Sequence, residues 1–219
     1  MAHASLTVKE ASDAYANAMR NPAARRQGVC PICWTFHDPA YETCIACDRQ
    51  PDHLDVVVPI TYSVHMGQMH DALRGYKDDS RREVCRYHSV RLTAILWRFL
   101  EDHEYCIAAA AGEKRFDLVA TVPSKSRDRD EERNQLRTIV GQWCGPTRER
   151  WRRVLYPADP PALERSFSAG RYTADAEVAE KRVLLIDDTW TTGGAMQSAA
   201  AAGRGFVRRG SGNRTPPAP

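Results

Sequence analysis

Short apolar runs alternate with helical patterns along this chain of 219 residues. Residues 116–123 and Val183–Ile186 each predict a strand that is buried on both faces. A third apolar run starts at Leu54 and is interrupted by Pro59, and a fourth occupies residues 152–157. Strands that alternate with helices predict an α/β fold in which helices flank a parallel sheet.

Apolar residues repeat at helical spacing in three stretches. Residues 5–20 predict a short leading helix, residues 92–100 a long amphipathic helix, and residues 136–144 the helix after the strand at 116–123. Ligands of parallel sheets bind at the carboxyl ends of the strands. The residues that follow each strand are therefore the candidates for chemistry.

Two carboxylates, Asp187 and Asp188, follow the strand Val183–Ile186 and precede a loop rich in threonine and glycine. The loop consists of Thr189, Trp190, Thr191, Thr192, Gly193 and Gly194, and an alanine-rich helix follows. Backbone N–H groups at a helix N-terminus favour an anion. Carboxylates accept hydrogen bonds from ribose hydroxyls, directly or through hydrated Mg²⁺. The segment predicts a site for a phosphorylated ribose, and an acidic magnesium pocket of another kind is the alternative.

Four of the seven cysteines have the spacing of metal ligands, as two CxxC pairs separated by ten residues: Cys30, Cys33, Cys44 and Cys47. This spacing is typical of tetrahedral zinc, and a redox pair is the alternative. Four thiolates complete the coordination of zinc, so we expect a structural ion that takes no part in the chemistry. The other three cysteines are interpreted as ordinary thiols: Cys85, Cys106 and Cys144.

The composition predicts a globular chain with one domain and a small appended module, because 42% of the residues are hydrophobic. A formal net charge of +3 does not by itself predict nucleic-acid binding. The sequence contains neither the P-loop motif GxxxxGK[ST] nor a GxGxxG motif, which argues against P-loop NTPases and dinucleotide binders. No apolar stretch or leader predicts a membrane partner, and we expect the cytoplasm as the location.

In this order of segments the chain resembles the ComF-like type I phosphoribosyltransferases, a family associated with bacterial DNA uptake. The run VLLIDDTWTTGG looks like the phosphoribosyl pyrophosphate loop of those enzymes. The four-cysteine module, the LRGYK segment at 73–77 and the VPSKSR turn at 122–127 match in the same order. The predicted organisation is a leading helix at 1–27, a zinc module at 28–50, a phosphoribosyltransferase-like domain at 51–202 and a disordered tail at 203–219.

The resemblance implies transfer of phosphoribose to an acceptor that the sequence does not identify, with release of pyrophosphate. Asp187 and Asp188 would bind the ribose with Mg²⁺, and residues 189–194 would bind the 5-phosphate. Three residues would form the pyrophosphate turn: Ser124, Lys125 and Arg127. A solvated run of mixed charge is the alternative for that turn.

Two further features follow from the same resemblance. Residues 158–180 take the place of the mobile flap of this fold, in which Arg165 is the best candidate to contact phosphate. Tyr76 and Lys77 match a family segment but have no role that the sequence supplies.

The chain departs from the family pattern at two places. Ala195 stands where the loop usually ends in threonine, so we expect one phosphate hydrogen bond to be missing. After Ala202 the sequence is rich in glycine, proline and arginine, which resembles a truncation or a shifted reading frame and would leave the last strand with an unpaired edge. Such an edge predicts a homo-oligomer. The alternative function is a non-catalytic accessory protein that binds single-stranded DNA or a nucleotide.

Overall fold

The computed structural model describes residues 6–159 and 166–204, and they form a mixed α/β fold. Its helices are α1 (Val8–Asp13), α2 (Ile45–Asp48), α3 (Gln68–Asp78), α4 (Arg82–Ala110), α5 (Arg127–Glu132), α6 (Gln135–Thr138), α7 (Gly145–Arg148) and α8 (Gly194–Arg204), with a π-helical turn at Ile139–Trp143 and a 3-10 turn at Ala176–Val178. Its strands are β1 (Leu118–Thr121), β2 (Leu155–Pro157), β3 (Tyr172–Ala174) and β4 (Val183–Ile186).

Strands β1 and β4 form the parallel pair of the fold, in a register that joins Leu118 to Val183 and Thr121 to Ile186. Strand β2 pairs with β3 in the antiparallel direction. The prediction of a parallel sheet with helices is therefore confirmed for β1 and β4. It is wrong for β2 within the run at 152–157, because β2 pairs with the returning strand β3. Just before that run, Trp151 does form an isolated parallel bridge with Val119 of β1.

The side chains of β1 alternate between two cores. Val119 faces a core that α4 supplies with Leu96, Leu100 and Ile107. Leu118 and Ala120 face a second core, which α8 and the β2–β3 ribbon share and which contains Val154, Leu155, Tyr172 and Ala199. The parallel pair therefore lies between a helical layer and a mixed layer, which cover its two faces and leave the ends of its strands open to a ligand.

The predicted strand that begins at Leu54 does not form. Pro59 has no N–H to donate to a ladder, and the neighbouring backbone groups find other partners. The indole N–H of Trp34 donates to the carbonyl of Val57 at 3.1 Å, and the N–H of Tyr62 donates to the carbonyl of Arg20 at 2.8 Å. The apolar side chains of this segment still pack against the α4 core, as Val56, Val58 and Ile60. The apolar run thus contributes to the core as an irregular segment.

All four residues of β4 are only partly buried, although the sequence predicts burial on both faces. Among the described residues β4 pairs with β1 alone, so its other edge has no ladder partner there. This edge is the physical reason for the incomplete burial. The predicted homo-oligomer stays a prediction.

Several predicted helices have different lengths in the structure. Helix α1 is shorter than predicted, because it ends at Asp13 and turns follow it. The side chain of Thr7 caps its N-terminus by accepting a hydrogen bond from the N–H of Glu10. The amphipathic helix is confirmed as α4. The helix predicted at 136–144 is divided into α6 and the π-helical turn. A Cβ at Gly141 would lie 2.6 Å from ring atoms of Trp151, so this turn passes close to the indole.

Some predictions fall partly or wholly outside the described residues. Arg165 and part of the predicted flap lie there, as do residues 205–219 of the predicted tail. Gly203 and Arg204 belong to α8, which therefore extends past the predicted boundary at residue 202. Within residues 6–159 and 166–204, no helix has both the length and the apolar character needed to cross a bilayer.

Candidate functional site

A cavity of about 500 Å³ opens at the carboxyl ends of β1 and β4. The parallel register brings these ends together, since Thr121 is paired with Ile186. Three stretches surround the cavity: the turn after β1, the loop after β4, and the end of α3 with Tyr76 and Lys77. Arg171 and Tyr172 close a further side. This is the position at which parallel α/β sheets bind their ligands.

The loop after β4 carries both predicted carboxylates into the cavity wall. The backbone N–H of Asp188 donates to the Asp187 carboxylate at 2.9 Å, which turns the chain out of the strand. Gly193 has a φ of 80°, and the N–H of Gln197 donates to its carbonyl at 2.9 Å as α8 begins. The loop thus leads directly into the N-terminus of an eleven-residue helix. That end of a helix favours an anion.

Tyr76 and Lys77 are the site residues to which the sequence assigned no role. The hydroxyl of Tyr76 donates to the Asp188 carboxylate, and the Lys77 ammonium lies 2.5 Å from the same carboxylate oxygen, Oδ2. Tyr76 is only 1% exposed. In the sequence these two residues stand out only as the polar end of the LRGYK segment. Their common partner, Asp188, lies 112 positions away from Tyr76.

The two neighbouring carboxylates have different electrostatic surroundings. Burial and the negative charge of Asp188 raise the pKa of Asp187 to about 7, and the Lys77 ammonium only partly opposes this shift. Burial and Asp188 also raise the pKa of Tyr76 well above its ordinary value, so this hydroxyl keeps its proton at neutral pH. Asp188 therefore has a hydrogen-bond donor and a cation beside it, whereas the pKa of Asp187 lies well above its usual range.

The turn after β1 is held by the buried carboxylate of Asp130. Asp130 accepts a hydrogen bond from the backbone N–H of Ser124 at 2.8 Å and forms ion pairs with Arg137 and Arg153. This network fixes the backbone of the turn at the cavity edge. Asp130 also ties the mixed-charge run to the fold, because a 3% exposed carboxylate needs such partners.

Most of the predicted binding residues line this cavity. Those that do are Ser124, Lys125, Asp187, Asp188, Thr189, Trp190, Thr191, Thr192 and Gly193. Arg127 is exposed on α5 and is not among the lining residues, and Gly194 is buried at the start of α8 just behind them. Arg129 lines the cavity instead of Arg127 because it lies further along the turn of α5. In the described part of the chain, neither Lys125 nor Arg129 has an ion-pair partner.

The four cysteines of the two CxxC pairs form a second candidate site. Their sulfur atoms all lie within 4.8 Å of one another, and all four residues are buried. Local geometry produces the cluster: the N–H of Cys30 donates to the carbonyl of Thr35, and Trp34 adopts a φ of 65° that turns the chain back. Cys44 caps α2, and Cys47 lies within that helix. Four sulfur donors at this separation suit one tetrahedral metal ion.

The thiols of this cluster influence one another's ionisation. Hydrogen bonds from the Cys47 thiol, and then from Thr35, lower the pKa of Cys33 to about 4. Burial raises the pKa of Cys44, and the hydrogen bond with Cys33 raises the pKa of Cys47. A divalent cation held by the four sulfur atoms would displace their protons. Of the remaining cysteines, Cys144 is buried, Cys106 is exposed, and the thiol of Cys85 donates to the carbonyl of Tyr76 at 2.9 Å.

Comparisons with known proteins give no relative for this chain. No family model matches it, and neither the curated proteins nor the solved structures contain a match. The assignment of a function therefore depends on the two sites and on the resemblance of their motifs.

Proposed function

We propose that the cavity binds phosphoribosyl pyrophosphate and that the protein transfers its phosphoribosyl group to an acceptor. One observation carries the proposal: the Asp187–Asp188 pair and a threonine- and glycine-rich helix N-terminus share one cavity with the turn after β1. A ribose that carries a phosphate at one end and a pyrophosphate at the other needs these three elements in this order. The resemblance of VLLIDDTWTTGG to the family loop supports the same ligand.

Each end of the ligand has a proposed partner in the cavity. Residues 189–194 would bind the 5-phosphate through backbone N–H groups and threonine hydroxyls. Asp187 and Asp188 would accept hydrogen bonds from the ribose hydroxyls. Lys125 and Arg129 would neutralise the pyrophosphate at the turn that Ser124 begins, a role for which Arg127 is less well placed.

Tyr76 and Lys77 would position the Asp188 carboxylate for the ribose. Their hydrogen bond and ion pair fix Asp188 before the ligand enters. A carboxylate held by a donor and a cation at one oxygen keeps one orientation and can accept a ribose hydroxyl at its other oxygen. This pair is therefore the polar support of the ribose subsite.

Transfer would break the bond between ribose C1 and the pyrophosphate oxygen and form a bond between C1 and the nucleophile of the acceptor. The electron pair of the broken bond leaves with pyrophosphate. Mg²⁺ bound with the substrate would supply charge neutralisation on the leaving group, and Asp187 and Asp188 are the carboxylates that would hold it.

The four-cysteine cluster would bind zinc as a structural ion. Four buried sulfur atoms leave no ligand position for water or substrate once they surround one ion. Seven cysteines without a disulfide are typical of a reducing compartment, and we propose the cytoplasm as the location.

Calorimetric titration tests the ligand. We expect phosphoribosyl pyrophosphate to bind once per chain in the presence of Mg²⁺, and ribose 5-phosphate and pyrophosphate each to bind more weakly because each occupies part of the site. Release of pyrophosphate with a panel of bases and amines then tests transfer. A protein that binds none of these ligands but shifts single-stranded DNA in a salt-dependent gel assay would instead be the accessory protein.

A further inference from the structure

Trp190 connects the four-cysteine cluster to the loop after β4. Its side chain packs against the cluster together with Ile32 and Ala46. The same indole also lines the cavity. Its N–H is buried without a hydrogen-bond partner among the described residues, so packing alone holds the ring. One side chain therefore contacts both candidate sites.

The six-membered ring of Trp190 also lies close to Gly193. A Cβ added to Gly193 would lie 2.7 Å from Cη2 and 2.9 Å from Cε2 of the indole. Gly193 also has a φ of 80°, so glycine is required both by its backbone conformation and by the close approach of the ring. The position of the indole thus restricts the backbone of the loop whose N–H groups would bind phosphate.

Residues 50–53, which follow the cysteine module, contact the helix that the same loop leads into. The N–H of His53 donates to the side-chain carbonyl of Gln197 at 2.7 Å, in the first turns of α8. Gln50 accepts a hydrogen bond from the N–H of Phe167 at 3.0 Å, and the rings of His53 and Phe167 stack at 5.1 Å between centroids. Residues 50–53 therefore join the module both to α8 and to the segment that leads to Arg171 and Tyr172.

We propose that Trp190 is a positioning residue, and that a metal ion at the four cysteines sets the geometry of the 189–194 loop through this indole. A closed tetrathiolate site is rigid, whereas four thiols without an ion are held together only by packing and by weak hydrogen bonds between sulfur atoms, such as that of Cys33 with Cys44. Loss of the ion would free the surface on which the indole rests, and the loop would lose its support. The ion would thus raise ligand affinity without contacting the ligand, which differs from the purely structural role expected from the sequence.

Hydrogen exchange tests this coupling without a ligand, and so independently of the proposed function. In the Trp190→Ala protein with zinc bound, we expect the amides of residues 189–194 to exchange about tenfold faster than in wild type. Zinc content should stay at one ion per chain, and the amides of α4 should keep their protection. Trp97→Phe is the matched control, since Trp97 lies on α4 and contacts Gly145.

Removal of zinc from wild-type protein should accelerate exchange in the same loop, and should add nothing in Trp190→Ala. Binding of phosphoribosyl pyrophosphate should weaken about tenfold in both cases. Unchanged exchange at 189–194 in Trp190→Ala would overturn the coupling, whatever zinc removal does to the remaining fold. Wild-type protein that shows the exchange effect but binds no phosphoribosyl pyrophosphate would leave the coupling in place and refute the proposed ligand.

Discussion

The four-cysteine cluster and the cavity are built from very different stretches of chain. All four cysteines of the cluster lie between residues 30 and 47, and a short turn and a four-residue helix bring them together. The cavity draws on the end of α3, the turn after β1 and the loop after β4, and its Tyr76–Asp188 contact joins residues 112 positions apart. A local site is encoded by spacing, whereas a distributed site depends on the whole fold.

The two sites also differ in how they depend on individual side chains. The cluster offers four sulfur atoms of one kind, so loss of any one would break the same proposed coordination shell. The cavity divides its tasks among residues whose neighbours differ, as the pair Asp187 and Asp188 illustrates. Mutations in the cluster should therefore change the fold, and mutations in the cavity should change binding or pH dependence.

The largest effect should come from Cys44→Ser combined with Cys47→Ser. Two of four thiolates are then missing, so zinc affinity and the stability that it supplies are lost together, by several kcal/mol in free energy of unfolding at about neutral pH. Zinc content and thermal unfolding measure the change. Cys106→Ser is the control because that thiol is exposed. Equal melting temperatures for the double mutant and wild type would show that the cluster does not bind a stabilising ion.

Asp188→Asn should have the next largest effect, and on binding rather than on the fold. The amide keeps the shape but removes the charge that faces Lys77 and the ribose, so affinity for phosphoribosyl pyrophosphate should fall by at least ~1.5 kcal/mol. Calorimetry against Asp102→Asn, an exposed position on α4, controls for a change of net charge. If both mutants bind phosphoribosyl pyrophosphate with equal affinity, Asp188 does not contribute to the ligand site.

Asp187→Asn should stabilise the protein in a pH-dependent way. The pKa of Asp187 rises from 3.8 to about 7 in the fold, so the folded state binds a proton more tightly than the unfolded state. The wild type then loses stability as pH rises from about 4 to about 7, and the loss stays constant above that range. The mutant should melt a few degrees higher than wild type at about pH 8, with little difference at about pH 4. Melting curves in buffer without Mg²⁺ measure this. The prediction fails if the melting temperatures of the two proteins differ by the same amount at both pH values.

The smallest effect should come from Ala195→Thr. Ala195 lines the cavity at the start of α8, so a hydroxyl there would add one hydrogen bond to the phosphate and strengthen binding by no more than about tenfold. Ala195→Val has nearly the same shape without the hydroxyl and is the matched control. If threonine and valine change the affinity alike, the loop does not hold a phosphate at this end.

The sequence predicts the parts of the molecule that are determined over short distances. CxxC spacing locates Cys30 and its three companions, and the position of Asp187 and Asp188 after an apolar strand locates the cavity edge. It could not predict the role of Tyr76 and Lys77, because their contact with Asp188 arises only when α3 packs beside the parallel pair. The prediction of a strand from Leu54 was wrong for a related reason. The backbone hydrogen bonds of that segment are made with Trp34 and Arg20, in distant parts of the chain.

Hydrogen exchange with and without phosphoribosyl pyrophosphate and Mg²⁺ tests the central claim most directly, namely that the two loops form one ligand site. We predict that the ligand slows exchange at residues 124–130 and at residues 189–194 together, and that Asp188→Asn weakens both effects. Protection at one loop alone would contradict a ligand that spans the cavity. Protection at neither loop, at ligand concentrations that saturate calorimetric binding, would place the ligand elsewhere on the protein.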